Sequence, residues 1–149
     1  MILNRQREVR VSLRALELFL RRVKQELGIG KTDVTVCLVT DAKIAGMNER
    51  YRGKRGPTDV LSFPSVGRKN ALRNWRKPRR ASQFGYLGDI AISPATAKRY
   101  AKKNGRPVAN ELRVLILHGV LHLLGFDHDA DRGEMEKFEM KLRTRVGLA

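Results

Sequence analysis

The stretch NELRVLILHGVLHLLGFDH, residues 110–128, decides how this chain is read. Asn110 opens a helix that is apolar nearly all round through Leu124, and Gly125 ends it. A helix apolar on every side cannot rest on a surface, so the pattern predicts a central, largely buried helix with the rest of the chain packed about it. His118 and His122 stand four residues apart on that helix, so their imidazoles leave one face a turn apart and can meet at a single ion. Gly125, lacking a Cβ, can take positive φ, which turns the chain and returns His128 toward the same point. One imidazole alone on such a helix reads as a satisfied core residue. All three histidines of the chain fall here, however, and burying them costs free energy unless each finds a partner; a shared cation satisfies all three. The expected ligands are therefore His118, His122 and His128. Three neutral nitrogen ligands suit one zinc ion and leave a fourth position open, the arrangement of catalytic sites, although nickel and copper accept the same ligand type.

The spacing H-x3-H-x5-H, with Gly125 between, matches the metzincin protease pattern except that Gly119 stands where those enzymes carry a glutamate. That glutamate is their general base, and a glycine cannot remove a proton. A peptidase or amidase reading keeps its metal cage and loses its chemistry.

Outward from this helix the elements alternate loosely. Ser12 caps a helix from Leu13 to Leu27 with Leu13, Leu16, Leu20, Val23 and Leu27 on one stripe and Gly28 as its stop. Asp33 to Thr40 has the β-branched density of a buried strand, followed by a short helix over 41–50. Further strands are predicted at Val60 to Phe63 and at Tyr86 to Ser93, the latter leading through Pro94 into a helix ending near Asn104. A last amphipathic helix spans about Arg132 to Val146. The expectation is a single domain, 1–149, of α+β class with a small mixed sheet packed with helices around the histidine-bearing one. Residues 68–80, RKNALRNWRKPRR, contain no acidic residue and read as a loop.

Thirty-one Lys and Arg against fifteen Asp and Glu leave a net charge of +16 on 149 residues. Self-repulsion of that size opposes compaction unless an anionic partner offsets it, which points to nucleic acid; a solvated basic surface is the bland alternative. Cys37 is the only cysteine, so an internal disulfide and a site built on several thiolates are both excluded. The N-terminal segment lacks the apolar core of a signal peptide, and Leu112 to Phe126, the longest apolar stretch, is shorter than a membrane span and contains Arg113. The expected location is the cytoplasm.

With these residues in view, the sequence resembles the YbeY family of rRNA-maturation endoribonucleases. Three segments carry the resemblance in order: Met47 to Pro64, MNERYRGKRGPTDVLSFP; Leu87 to Ser93, LGDIAIS; and His118 to His128. It implies a compact α+β domain with zinc on its central helix, and cleavage of single-stranded RNA in forming the 3′ end of small-subunit (16S) rRNA and in ribosome quality control. It further implies contact with a small-subunit ribosomal protein and the Era GTPase. By position, Arg52 in YRGK matches the family's functional arginine. A guanidinium suits that task, because it can hold a phosphate bidentately where lysine offers a point charge; a solvated surface arginine is the alternative, with Arg50, Lys54 and Arg55 close by.

Asp59, Asp89 and Asp127 lie in the three matching motifs, and each can orient an imidazole or cap a turn. Thr58 and Ser62 read as backbone-bonding residues. The segment 68–80 is longer and more basic than the family pattern. Its seven cations with Trp75 among them suit phosphate neutralisation plus stacking of one base, the alternative being a solvated insertion. A second function stays open from the residues alone: a ribosome-assembly factor whose zinc is structural.

Overall fold

A computed structural model describes residues 1–65, 85–126 and 133–148. In chain order the elements are β1 (Ile2–Asn4), α1 (Leu13–Glu26), β2 (Asp33–Leu38), α2 (Asp41–Arg52), β3 (Val60–Pro64), β4 (Tyr86–Ile92), α3 (Pro94–Lys103), α4 (Val108–Leu123) and α5 (Glu134–Arg145). The strands form one mixed sheet in the order β1-β2-β4-β3: β1 and β4 run parallel to β2, and β3 lies antiparallel to β4 at the edge. The fold is α+β, as the pattern predicts.

Alternation along β2 sets the two faces of the sheet. Val34, Val36 and Leu38 point into the main core with Leu16, Leu20 and Val23 of α1 and with α4, while Cys37 turns to a smaller cluster of Ile44, Met47, Leu61, Phe63 and Ala91 beneath α2. The helix α4 is as central as its composition requires: Leu115, Ile116, Leu117, Val120, Leu121 and Leu123 are all buried, and it packs on β3, β4, α1, α3 and α5. Fully burying each such side chain stabilises the fold by about 1.5–3 kcal/mol.

Several boundaries differ from the sequence expectation for one recurring reason. Thr40 and Ser93, read as the last residues of strands, are instead N-caps of α2 and α3, their hydroxyls accepting from Lys43 N and Thr96 N. The helix α4 begins at Val108 after Pro107, ahead of Asn110; proline pre-sets the dihedral needed there and has no N–H to satisfy. On α1, Leu13 is 38% exposed and Phe19 takes its place in the core at 7%. β1 has no counterpart in the sequence reading. The segment 68–80 lies outside the described residues.

An irregularity in β4 brings α4 close to the sheet. The register with β2 slips between Asp33 and Val34, which leaves Leu87 extra and puts both it and Ile90 on the core side. Gly88 makes this possible at φ 149: a Cβ there would lie 2.5 Å from the carbonyl oxygen of Phe63 and 2.8 Å from Cδ2 of Leu123. The end of α4 that carries His122 and Leu123 is thus seated against the β3–β4 edge of the sheet.

Candidate metal centre

His118 and His122 project together from α4, with ring centroids 4.4 Å apart and planes crossing at 72°. Their Nε2 atoms converge to 2.8 Å. Two nitrogens bound to one tetrahedral zinc are about 3.3 Å apart, so this pair lies within roughly half an ångström of a ligand geometry. The donor set fits the ion. His118 is 23% exposed at its side chain, which keeps the site open to solvent.

The second nitrogen of His118 is also engaged. Nδ1 lies 3.1 Å from Oε1 of Glu139 on α5, whose side chain is buried to 7% exposure; Oε2 of the same carboxylate is 3.6 Å from the guanidinium of Arg143 one turn on. A carboxylate accepts, so this contact favours the tautomer of His118 with its hydrogen on Nδ1 and its Nε2 lone pair toward His122. Glu139 was not singled out in the sequence. Its signal was a glutamate on a stripe otherwise apolar, with Met135 and Leu142 buried on α5 and Val146 buried at its C-cap.

The expected third ligand, His128, lies outside the described residues, as does Asp127. Among the described residues no group of three or more His, Cys, Asp or Glu is placed to hold a metal ion. The other motif aspartates are used elsewhere: Asp59 accepts from the Thr58 hydroxyl and gives its carbonyl to Ser93 N, and Asp89 accepts from the Tyr86 hydroxyl. Ser62 bonds backbone, as read: its Oγ donates to the carbonyl of Gly119 at 3.3 Å and ties the edge strand to α4 beside His118.

Arg52 is the last residue of α2, exposed, with no hydrogen bond or ion pair among the described residues. Its backbone is nevertheless fixed. Gly53 caps the helix at φ 64, and buried Asn48 donates to Gly56 O at 3.0 Å across the following turn. Tyr51 packs edge-on against Phe63 of β3, ring centroids 5.1 Å apart. Since Phe63 and Ser62 point to opposite faces of the same edge strand, β3 connects the end of α2 on one side with the His118 turn on the other.

A cleft of about 390 Å³ opens beneath α2, lined by Cys37, Met47, Tyr51, Phe63, Asp89 and Ala91. Burial pushes the Cys37 thiol up despite the pull of Arg5 and Lys43, which disfavours the thiolate. This environment argues against Cys37 as an activated nucleophile.

The family model described as Endoribonuclease YbeY matches residues 1–147. Endoribonuclease YbeY of Koribacter versatilis is 40% identical over 148 residues, covering 99% of this chain and 86% of that protein. Its counterpart in Moorella thermoacetica is 43% identical over 123 residues, 80% of this chain and 76% of the other. Among solved structures, TM1509 from Thermotoga maritima superimposes with a TM-score of 0.65 at 27% identity, covering 98% of this chain and 89% of that one. The chain belongs to the YbeY endoribonuclease family.

Proposed function

We propose that the protein is a zinc-dependent endoribonuclease acting on single-stranded RNA, with His118, His122 and His128 holding one ion and Arg52 holding the scissile phosphate. The observation that carries this is the convergence of two imidazole nitrogens on one point at the open end of a buried helix, with a carboxylate behind one of them. When bound, zinc supplies a Lewis acid at the phosphoryl group. The guanidinium of Arg52 grips phosphate oxygens bidentately and stabilises charge that grows on them during displacement. Among the described residues the Arg52 side chain has no other hydrogen-bond or ion-pair partner, which suits that task. The net charge of +16 collects the strand, and the cations of residues 68–80 add to it.

Family membership supports RNA as the substrate, and within that reading the protein matures the 3′ end of small-subunit rRNA and serves ribosome quality control in the cytoplasm, meeting a small-subunit ribosomal protein and the Era GTPase. Among the described residues no helix is long and apolar enough to cross a membrane. The main core is built of apolar side chains from α1, β2, β4 and α4, and the described imidazoles, His118 and His122, are only half-buried beside it, which favours a catalytic ion over a structural one.

The test is cleavage of one RNA sequence presented single-stranded and as a duplex, by zinc-loaded and metal-stripped protein free of contaminating nuclease. Cleavage confined to the single strand and restored by added zinc is expected. Equal cleavage with and without metal contradicts the reading.

A further inference from the structure

We propose that Glu139 is a positioning residue for the metal site: it selects the Nδ1–H tautomer of His118, aims the Nε2 lone pair at the ion, and is itself held by Arg143. The inference rests on the zinc reading of His118 and His122 and gives a role to the carboxylate behind His118. Three observations converge on it. Glu139 is 5% exposed, and a carboxylate is rarely left so buried without a specific partner. Among the described residues its two oxygens face two different groups, Oε1 toward Nδ1 of His118 at 3.1 Å and Oε2 toward Arg143 at 3.6 Å. It comes from α5, so the pair also sets the distance between that helix and the ligand-bearing turn of α4.

The geometry explains how the two imidazoles share their facing nitrogens. With Nδ1–H of His118 directed at the carboxylate, its Nε2 lone pair is turned toward Nε2 of His122, 2.8 Å away. Without Glu139, His118 divides between tautomers and its ring loses its orientation. Partners of this kind typically account for 10–100-fold in metal affinity.

A structural pair and a positioning pair are told apart by measuring zinc affinity in competition with a chelator, together with thermal unfolding of the metal-free proteins and the ¹⁵N spectrum of the imidazoles. The proteins are the wild type and its Glu139→Gln, Glu139→Ala and His118→Ala variants. Gln keeps the shape but offers a neutral amide that can turn its NH₂ toward Nδ1 and select the wrong tautomer. About tenfold weaker zinc binding in Glu139→Gln and about hundredfold in Glu139→Ala are expected, with His118 showing mixed tautomers in both. Unchanged affinity in both Glu139 variants while His118→Ala loses the metal overturns the positioning role and leaves the zinc reading standing. Unchanged affinity in all three, His118→Ala included, overturns the zinc reading and the inference with it. Should Glu139→Ala unfold, Glu139→Gln alone decides.

Discussion

Gly119 and Ile90 meet so closely that a Cβ built on position 119 would lie 2.8 Å from both Cδ1 and Cγ2 of Ile90. The residue beside the first histidine, where the metzincin pattern carries its catalytic glutamate, is here a packing contact between α4 and the sheet. Ile90 is fully buried on β4 and β-branched, so it cannot swing aside. The absence of a base at 119 is thus a steric requirement of this fold.

Replacing Gly119 with alanine gains about 1 kcal/mol of helix propensity and overpacks the contact at a cost of about 1–3 kcal/mol. Thermal unfolding should therefore shift downward, and pairing the change with Ile90→Val should recover part of the loss. Gly119→Glu should fail to fold stably and should cleave no peptide. A higher melting temperature for Gly119→Ala would show that α4 does not press on Ile90.

Asp41 opens a second, independent test. It accepts from Ser93 Oγ and Thr96 Oγ1, each at 2.6 Å, and from Arg99 at 2.7 Å, so it clasps the start of α2 to the start of α3. Burial alone would raise its carboxyl, but the hydrogen bonds from Arg99, Ser93 and Thr96 outweigh burial and hold it at about 2. Because the folded value lies below the unfolded one, the stabilisation is present above about pH 4 and is lost as pH falls toward 2. Asp41→Asn should be about 1–2 kcal/mol less stable than wild type at neutral pH, after allowing for screening of the half-exposed Arg99. The two proteins should converge in denaturant titrations taken down to pH 2; a constant gap would remove the clasp.

Chelation should abolish RNA cleavage while far-ultraviolet circular dichroism stays essentially native, since the core around α4 is packed with buried apolar side chains and His118 and His122 are only half-buried beside it. Added zinc should raise the melting temperature by mass action on the folded state alone. Loss of the fold on chelation would restore the structural-zinc assembly factor.

Arg52→Lys should fold and melt like wild type, because the side chain is exposed and the cap at Gly53 is unchanged. Its kcat/KM on RNA should fall on the order of 100-fold, as for removal of one well-placed donor to a developing anion. A lysine that restores full activity would reduce Arg52 to one more surface cation.

Much of this was legible in the residues, and the exceptions have physical causes. The helix α4 declared itself because an all-apolar period cannot be surface, and the cysteine-free, three-histidine stretch left few other ways to satisfy buried imidazoles. Strand β1 escaped because three residues, Ile2 to Asn4, are too few to show a period of two. Thr40 and Ser93 were misplaced by two roles of one residue type, since hydroxyl residues are tolerated in strands and preferred as caps. Glu139 was missed because its partner lies on another helix, and no spacing rule along the chain relates positions 118 and 139. A buried carboxylate within an apolar stripe was the available signal. The part played by Gly119 was half visible: a glycine inside a helix costs about 1 kcal/mol, so it marks a close approach without saying to what.

The most direct measurement is cleavage of a single-stranded fragment of small-subunit rRNA by wild type, His122→Ala and Arg52→Glu, each zinc-treated and shown to be folded, with bound zinc quantified in the same samples. One zinc and cleavage in the wild type, neither in His122→Ala, and zinc without cleavage in Arg52→Glu are expected. Equal cleavage by all three would contradict a reaction centred on this metal and this arginine.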